Sequence, residues 1–298
     1  MNYHQPVLLK ESIEGLNIRP DGIYVDATFG GGGHSLEILS HLKKGRLFGF
    51  DQDEDTIRNI PQDERFTFVN HNFRFLYNFL KYYGIHSIDG LIADLGVSSH
   101  HFESIERGFS FRGETGLDMR MNRKSDFSAK DVINTYPEEK LQVVFTEYGE
   151  LYNARRLASV IVSEREKSPI EQTEVFLKII SGCIPLRKEN QYLAKVFQAI
   201  RIEVNHEIFN LKQLLEQCLE ILKTGGRLVV ISYHSLEDRL VKNFIRWGNF
   251  EEEAPKDVFG NSNVPLRAVN KKVIVPREEE IKENNRARSA KLRIAEKV

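Results

Sequence analysis

Short apolar, β-branched runs recur along the first third of the chain, each followed by a stretch whose apolar positions have helical spacing. Residues 23–28, 46–50, 66–70 and 88–94 read as strands, and 35–42, 53–59 and 73–83 read as the helices between them. Strands alternating with helices of this length predict right-handed βαβ units and a parallel sheet. The next strand pattern is 227–232. It follows a helix whose apolar face runs through Ile208, Leu211, Leu215, Cys218 and Leu222 and which stops at Gly225 and Gly226. Roughly 130 residues separate the fourth and fifth strands, where a crossover needs only some tens. Within that excess, 138–147, 151–165, 171–183 and 191–204 have helical spacing, as in Leu151, Ala154, Ala158, Ile161 and Val162, and none alternates like a strand. The pattern predicts an α/β domain built from residues 1–104 and 207–298, with an all-helical domain, 105–206, inserted into it.

The run Asp26-Ala27-Thr28-Phe29-Gly30-Gly31-Gly32-Gly33-His34 joins the first strand to the first helix of the sheet. Glycines let a backbone turn tightly and approach a ligand, and the helix start beyond them offers free N–H groups. Open parallel sheets bind ligands outside the carboxyl ends of their strands, which here carry Asp26 to His34, Asp51 to Asp53, Asn70 to Phe73 and Asp94 to Ser99. Asp51 lies about twenty residues beyond the glycines, where nucleotide-binding folds place a carboxylate on ribose; its alternative role is a helix N-cap. A dinucleotide fold wants a third glycine at the position Ser35 occupies. A ligand without a diphosphate, carrying an amino-acid head group, suits this turn better, with Asp26 or the turn facing its ammonium; S-adenosylmethionine is such a ligand.

Composition narrows the alternatives. With 41% hydrophobic and 29% charged residues the chain is globular, and a formal net charge of −1 places any nucleic-acid surface in local clusters. Cys183 and Cys218 sit among apolar neighbours and make no disulfide framework. No stretch could span a bilayer and the N-terminus lacks a leader pattern, so the expected location is the cytoplasm, with no membrane partner. The adjacent His100 and His101 point apart and no metal-ligand spacing occurs, so no metal is expected. Neither Ser98 nor Ser99 sits in a nucleophile elbow.

Several ordered segments carry a resemblance. His4-Gln5-Pro6-Val7-Leu8-Leu9, Thr28-Phe29 with Gly33-His34-Ser35, Asp94-Leu95-Gly96-Val97-Ser98-Ser99, Arg107-Gly108-Phe109-Ser110-Phe111 and Leu117-Asp118-Met119-Arg120-Met121 are similar to the bacterial small-subunit ribosomal RNA cytosine-N4 methyltransferases. So are Phe197-Gln198-Ala199-Ile200-Arg201-Ile202, Ser232-Tyr233-His234-Ser235-Leu236-Glu237-Asp238-Arg239 and Arg286-Ala287-Arg288-Ser289. The resemblance spans nearly the whole chain. It implies a Rossmann-like S-adenosylmethionine-dependent methyltransferase sheet that methylates N4 of one cytidine in the decoding region of 16S rRNA. It also implies cofactor contacts at Gly32, Gly33 and His34, at Asp51 on the ribose, at Phe73 near the adenine, and at Asp94 and His101. Phe73 has a second reading, as a core residue on one face with Leu76 and Leu80. Two positions depart from the family pattern: Gly31, where relatives carry Arg or Ala, and Tyr233, where many carry Phe. The Asp-Pro-Pro-aromatic motif of many amine methyltransferases is absent at Asp94-Leu95-Gly96-Val97.

A sulfonium methyl is already activated, so catalysis is mostly alignment. An acceptor for the N4 proton would stabilise the growing positive charge, and Asp94, or a backbone carbonyl of the 94–99 loop, is the expected catalytic group. The partner is 16S rRNA or the small ribosomal subunit, and a homodimer is compatible with the sequence. Arg107, Phe109, Phe111, Arg112, Arg120 and Arg123 interleave cations with aromatics, as a stacking and phosphate surface would; ion pairs with Glu106, Glu114 and Asp118 are the competing role. The tail beyond Asn261, with Arg267, Lys271, Lys272, Arg286, Arg288, Lys291 and Arg293, is a second candidate RNA surface, and the acidic 251–263 stretch reads as a loop. A nicotinamide-dependent oxidoreductase and a non-enzymatic RNA-binding module are the rival classes.

Overall fold

The computed structural model describes residues 6–96, 105–111, 113, 115–251, 253, 259–260 and 264–298. The chain opens with helix α1 (Leu9–Leu16), then β1 (Ile23–Asp26), α2 (Gly33–His41), β2 (Arg46–Phe50), β3 (Phe66–Val69), α3 (Leu76–Tyr82) and β4 (Ile88–Asp94). One expected helix is a 3-10 turn throughout, and another, at 73–83, opens with one. Residues Glu54–Asn59 form a 3-10 turn capped by the Asp53 carboxylate, which accepts from the Asp55 N–H. Phe73–Phe75 form a second one, capped by Asn72 through the Arg74 N–H. In both, a short polar side chain captures the first free backbone donors and tightens the opening turn, which after Phe75 continues directly as α3.

The intervening unit, Val97–Glu207, is helical: α4 (Ala129–Thr135), α5 (Glu138–Glu147), α6 (Ala154–Arg165), α7 (Thr173–Ile180) and α8 (Glu189–Asn205). Helix α4 starts at a capping box in which Ser128 and Asp131 satisfy each other's backbone. The unit has its own core, where Leu141 and Phe145, Leu157 and Ile161, Phe176 and Ile180, and Val196 and Ile200 are fully buried. At about 1.5–3 kcal/mol per buried side chain, such a core can sustain an independent unit.

The chain then returns through α9 (Glu207–Ile221), β5 (Leu222–Ser232), α10 (Ser235–Trp247), β6 (Leu266–Ala268), α11 (Glu278–Glu283) and β7 (Lys291–Lys297). Leu222, assigned to the helix by its spacing, begins the strand instead: it pairs with Ile88, the chain loops out through Gly225 at φ +79°, and pairing resumes at Gly90 with Arg227. The sheet unit comprises Met1–Gly96 and Ile208–Val298.

Seven strands form one sheet in the order β3-β2-β1-β4-β5-β7-β6. Pairings from β3 to β5 are parallel, and β7 runs antiparallel to both β5 and β6. Both faces of the parallel strands are covered, as such strands require. Val25, Leu91, Ala93, Leu228 and Val230 pack against α3, α9 and α10. The alternate residues Tyr24, Ile92, Val229 and Ile231 pack against α1 and α2.

The antiparallel β6–β7 pair is absent from the sequence reading, and it gives three cations of the tail other partners, while Lys271, Lys272 and Arg288 stay exposed. Arg293 Nε donates to Asp238 Oδ1 at 2.7 Å, Lys291 Nζ lies 3.2 Å from the other oxygen, and Arg227 and Arg267 share Glu296. These cations are spent joining the hairpin to α10 and β5, because a strand inserted beside β5 brings them onto fixed carboxylates.

Candidate active site

The parallel strands end on one rim of the sheet, and three carboxylates stand there, one each on β1, β2 and β4. Asp26, only 2% exposed, accepts from the Ser35 hydroxyl at 2.7 Å and from the Thr28 N–H at 3.1 Å. It ties the glycine turn to α2 and faces inward. Asp51 accepts from the Gly30 N–H at 2.8 Å and the Asp53 N–H at 2.9 Å. Capping of the following turn therefore falls to Asp53, and Asp51 instead clamps the glycine run. Asp94 closes the set: its backbone N–H donates to Thr28 Oγ1 at 2.7 Å, and its Oδ1 accepts from the Tyr233 hydroxyl at 2.7 Å.

Within the turn, Gly30 and Gly32 adopt φ +51° and +78°, a left-handed region costly to residues with a Cβ. A Cβ on Gly33 would sit 2.2 Å from Pro6 Cγ, so that glycine is required by the N-terminal segment lying against it. Around Gly31 a Cβ would meet nothing within 4 Å, so the turn has room for a side chain there. His34, buried at the start of α2, contacts the Val7 carbonyl through Nε2 at 3.2 Å and presents Nδ1 3.9 Å from Asp94 Oδ2. Burial pushes its pKa down to about 4, so the imidazole is neutral, and the carbonyl partner places its proton on Nε2.

The same burial acts on the carboxylates in the opposite sense. Asp26 is pushed up to about 6, and Asp51 and Asp94 to about 7, with donated hydrogen bonds only partly offsetting desolvation. Asp26 adds like-charge repulsion to both of the others. Among the described residues no Lys or Arg forms an ion pair with any of the three. Asp94 nevertheless keeps 23% of its side-chain exposure, so one edge of this uncompensated acidic rim opens outward. Such a rim suits a cationic ligand, and S-adenosylmethionine carries both a sulfonium and an ammonium.

Gly32, Gly33, His34, Asp51 and Asp94 thus come together. Phe73 stands just beyond β3, partly buried against the α3 face of the sheet, in the turn capped by Asn72. His101 lies outside the described residues, as do Ser98, Ser99 and Arg112. Tyr233 is the residue that sequence reasoning missed as part of the site; its partner is 139 positions away, and no spacing signals such a pair.

Among the described candidate RNA-contact residues, Arg107, Phe109 and Arg120 have partners within the helical unit. Arg107 is 2% exposed and donates to the carbonyls of Arg120 and Met121. Arg120 grips Asp118 through two parallel hydrogen bonds of 2.7 and 2.9 Å. Phe109 is buried in the helical core, Phe111 stacks edge-on against Phe197, and Arg123 lies 3.7 Å from Glu106. A buried guanidinium demands acceptors, and backbone carbonyls supply them, so Arg107 orders the loop rather than meeting a phosphate.

A doubly wound sheet with an antiparallel last strand, a glycine turn after β1 and acidic residues at the tips of β1, β2 and β4 define the class: a Rossmann-like S-adenosylmethionine-dependent methyltransferase. A family model described as the MraW methylase family matches residues 1–298, and the chain belongs to that family. It is 59% identical over 298 residues to the ribosomal RNA small subunit methyltransferase H of Parabacteroides distasonis, covering 99% of this chain and 98% of that protein. It is 60% identical over 296 residues to the protein of the same name from Bacteroides fragilis strain YCH46, covering 99% and 97%. Among solved structures, an rRNA methylase from Streptococcus thermophilus superposes with a TM-score of 0.41 at 14% identity, over 97% of this chain and 93% of that one. Among the described residues, no helix is long and apolar enough to cross a membrane.

Proposed function

We propose that this enzyme methylates the exocyclic N4 of one cytidine in the decoding region of 16S rRNA, acting in the cytoplasm on the rRNA or the small ribosomal subunit. The observation that carries the reading is the acidic rim: three carboxylates at the strand tips, raised in pKa and without a cation among the described residues, beside a glycine turn. The names of the relatives supply the substrate class, and the motif resemblance supplies the atom.

S-adenosylmethionine, when bound, supplies a methyl group already activated on sulfur. The residues that would hold it are Gly32, Gly33 and His34 in the turn, Asp51 toward the ribose hydroxyls, Phe73 toward the adenine, and Asp94 at the reacting end, with His101 completing the set that the resemblance implies. His34 is suited to this place because it is neutral and cannot repel a cation. Asp94 accepts a hydrogen bond from the target amine as positive charge grows on it, and takes or relays the proton that N4 must lose. The nitrogen lone pair is conjugated with the ring, so holding the amine in line with the methyl group matters as much as its basicity.

The helical unit reads the RNA. Its support is an open recess of about 530 Å³ whose lining includes Asn153, Arg155, Arg156 and Ser159, with Glu138 at its side. Tyr152, 83% exposed, precedes this pair of arginines, a cation-plus-aromatic surface that a single strand can stack on and pair with.

The test is transfer of labelled methyl to small-subunit rRNA, with mass mapping of the product and of rRNA from cells lacking the protein. The expected mark is one N4-methyl group on a decoding-region cytidine, lost in the deletion strain. Label appearing on another base, or on no RNA in any assembly state, would overturn the reading.

A further inference from the structure

Tyr233 occupies the junction between β5 and α10, and every side of it is fixed. Its backbone N–H donates to Glu237 Oε2 at 2.9 Å, which binds the residue to the first turn of α10. Its ring lies against Gly96: a Cβ there would come within 2.8 Å of Tyr233 Cδ2, and Gly96 itself has φ +130°. The glycine after β4 therefore gives the ring its place. From that place the hydroxyl reaches Asp94 Oδ1 at 2.7 Å. The backbone of Asp94 is held equally firmly, by Thr28 Oγ1 on one side and by strand pairing of β4 with β5 on the other, where the next residue's N–H meets the Ile231 carbonyl at 2.8 Å.

The two oxygens of Asp94 are consequently unlike. Oδ1 is occupied. Among the described residues no hydrogen bond reaches Oδ2; His34 Nδ1 lies 3.9 Å from it, and that nitrogen carries no proton.

We propose that Tyr233 is a positioning residue for methyl transfer: its hydroxyl anchors Oδ1 of Asp94 so that Oδ2 is the acceptor presented to the incoming amine. This rests on the acceptor role given to Asp94 above. The electrostatics agree with the geometry. Asp94 is faced by Asp26 from β1, Glu237 from α10 and the neutral His34 from α2, and Glu280 of α11 adds negative charge near Tyr233. Burial, Asp26 and Glu237 all push Asp94 toward protonation, and the Tyr233 hydrogen bond opposes them. The phenol itself is held well above its ordinary pKa by burial and by Asp94, so it remains a donor across the working range. Removing the hydroxyl should do two things together: free the carboxylate to rotate, and raise the pH at which it ionises.

The experiment compares Tyr233→Phe and Asp94→Asn with the intact enzyme, following methylation of small-subunit rRNA from pH 6 to 9 and donor affinity by calorimetry. For Tyr233→Phe the acid limb of kcat is expected to move up by about one pH unit, a roughly fivefold loss at pH 7 that approaches tenfold at pH 6 and recovers toward pH 9. At pH 9, where Asp94 is ionised in both proteins, donor affinity and the KM for RNA should stay within about threefold, because the ring and its packing remain. Asp94→Asn should be impaired at every pH. Should Tyr233→Phe keep the wild-type profile while Asp94→Asn is inactive, the positioning role is wrong although the acceptor role stands. A uniform loss through weaker donor binding, with the limb unmoved, would likewise reduce Tyr233 to packing. An Asp94→Asn enzyme of full activity would remove the acceptor reading, and the positioning role with it.

Discussion

At the level of single residues the site stores charge. Asp51 and Asp94 ionise only near pH 7 in the folded protein, whereas an unfolded carboxyl ionises near 4. The folded state therefore binds more protons between these values, and its stability falls as pH rises through the folded pKa. His34 works the other way: its folded pKa is lowered, so its contribution is complete above about 6.5 and lost as pH falls toward about 4. Between pH 6.5 and 8 only the carboxylates change, and the melting temperature of the ligand-free protein should decline across that window. A bound cation reverses the balance by favouring ionised carboxylates. Binding of S-adenosylmethionine near pH 6.5 should release protons, measured as a buffer-dependent enthalpy in calorimetry, and should be tighter at pH 8 than at pH 6. Proton uptake on binding would contradict the pairing of this rim with the donor's positive groups.

At the level of elements, what could be read in advance depended on whether a signal was local. The βαβ alternation and the glycine turn after β1 are carried by neighbouring residues, and the strands from β1 to β4 lie within two residues of where periodicity puts them. The C-terminal hairpin is different. Lys291-Leu292-Arg293-Ile294 does alternate, with Leu292 and Ile294 buried on one face. Yet its cations count toward a basic tail until Asp238, 55 positions away, is seen to claim one of them. Arg107 misleads similarly, since nothing in its neighbourhood announces that its acceptors are carbonyls thirteen and fourteen residues on. Even Asp51 and Asp53 divide the roles of clamp and cap in a way two adjacent strand-end aspartates leave open. The hairpin makes its own prediction. Arg293→Ala removes one partly buried charged hydrogen bond, worth about 1–3 kcal/mol, and should lower the melting temperature by several degrees. The KM for RNA should be unmoved. An unchanged melting temperature with a raised KM would return this strand to the RNA surface.

For the molecule as a whole, a net charge of −1 means that its attraction to RNA must be local, and the structure gives several of the candidates partners of their own. Arg107, Arg120, Arg227, Arg267, Lys291 and Arg293 each already serve a carbonyl or a carboxylate of their own unit. In the helical unit Arg155 and Arg156 are exposed on α6 beside Tyr152, as Lys271, Lys272 and Arg288 are in the sheet unit, and no ion pair among the described residues involves the two arginines. If they neutralise RNA phosphates, each contact releases counterions, and the dependence of binding on salt should report them directly. For single strands the slope of log affinity against log salt is about −0.7 per phosphate contact, so Arg155→Ala with Arg156→Ala should flatten it by about 1.4. Affinity at low salt should fall, and donor binding and thermal stability should not change, because neither side chain supports the core or the sheet. The electrostatic account also predicts that the variant and the intact enzyme converge at high salt, where screening has already removed what the substitution removes. A slope identical in the two proteins would mean that the helical unit meets its substrate elsewhere, and that these arginines are merely solvated.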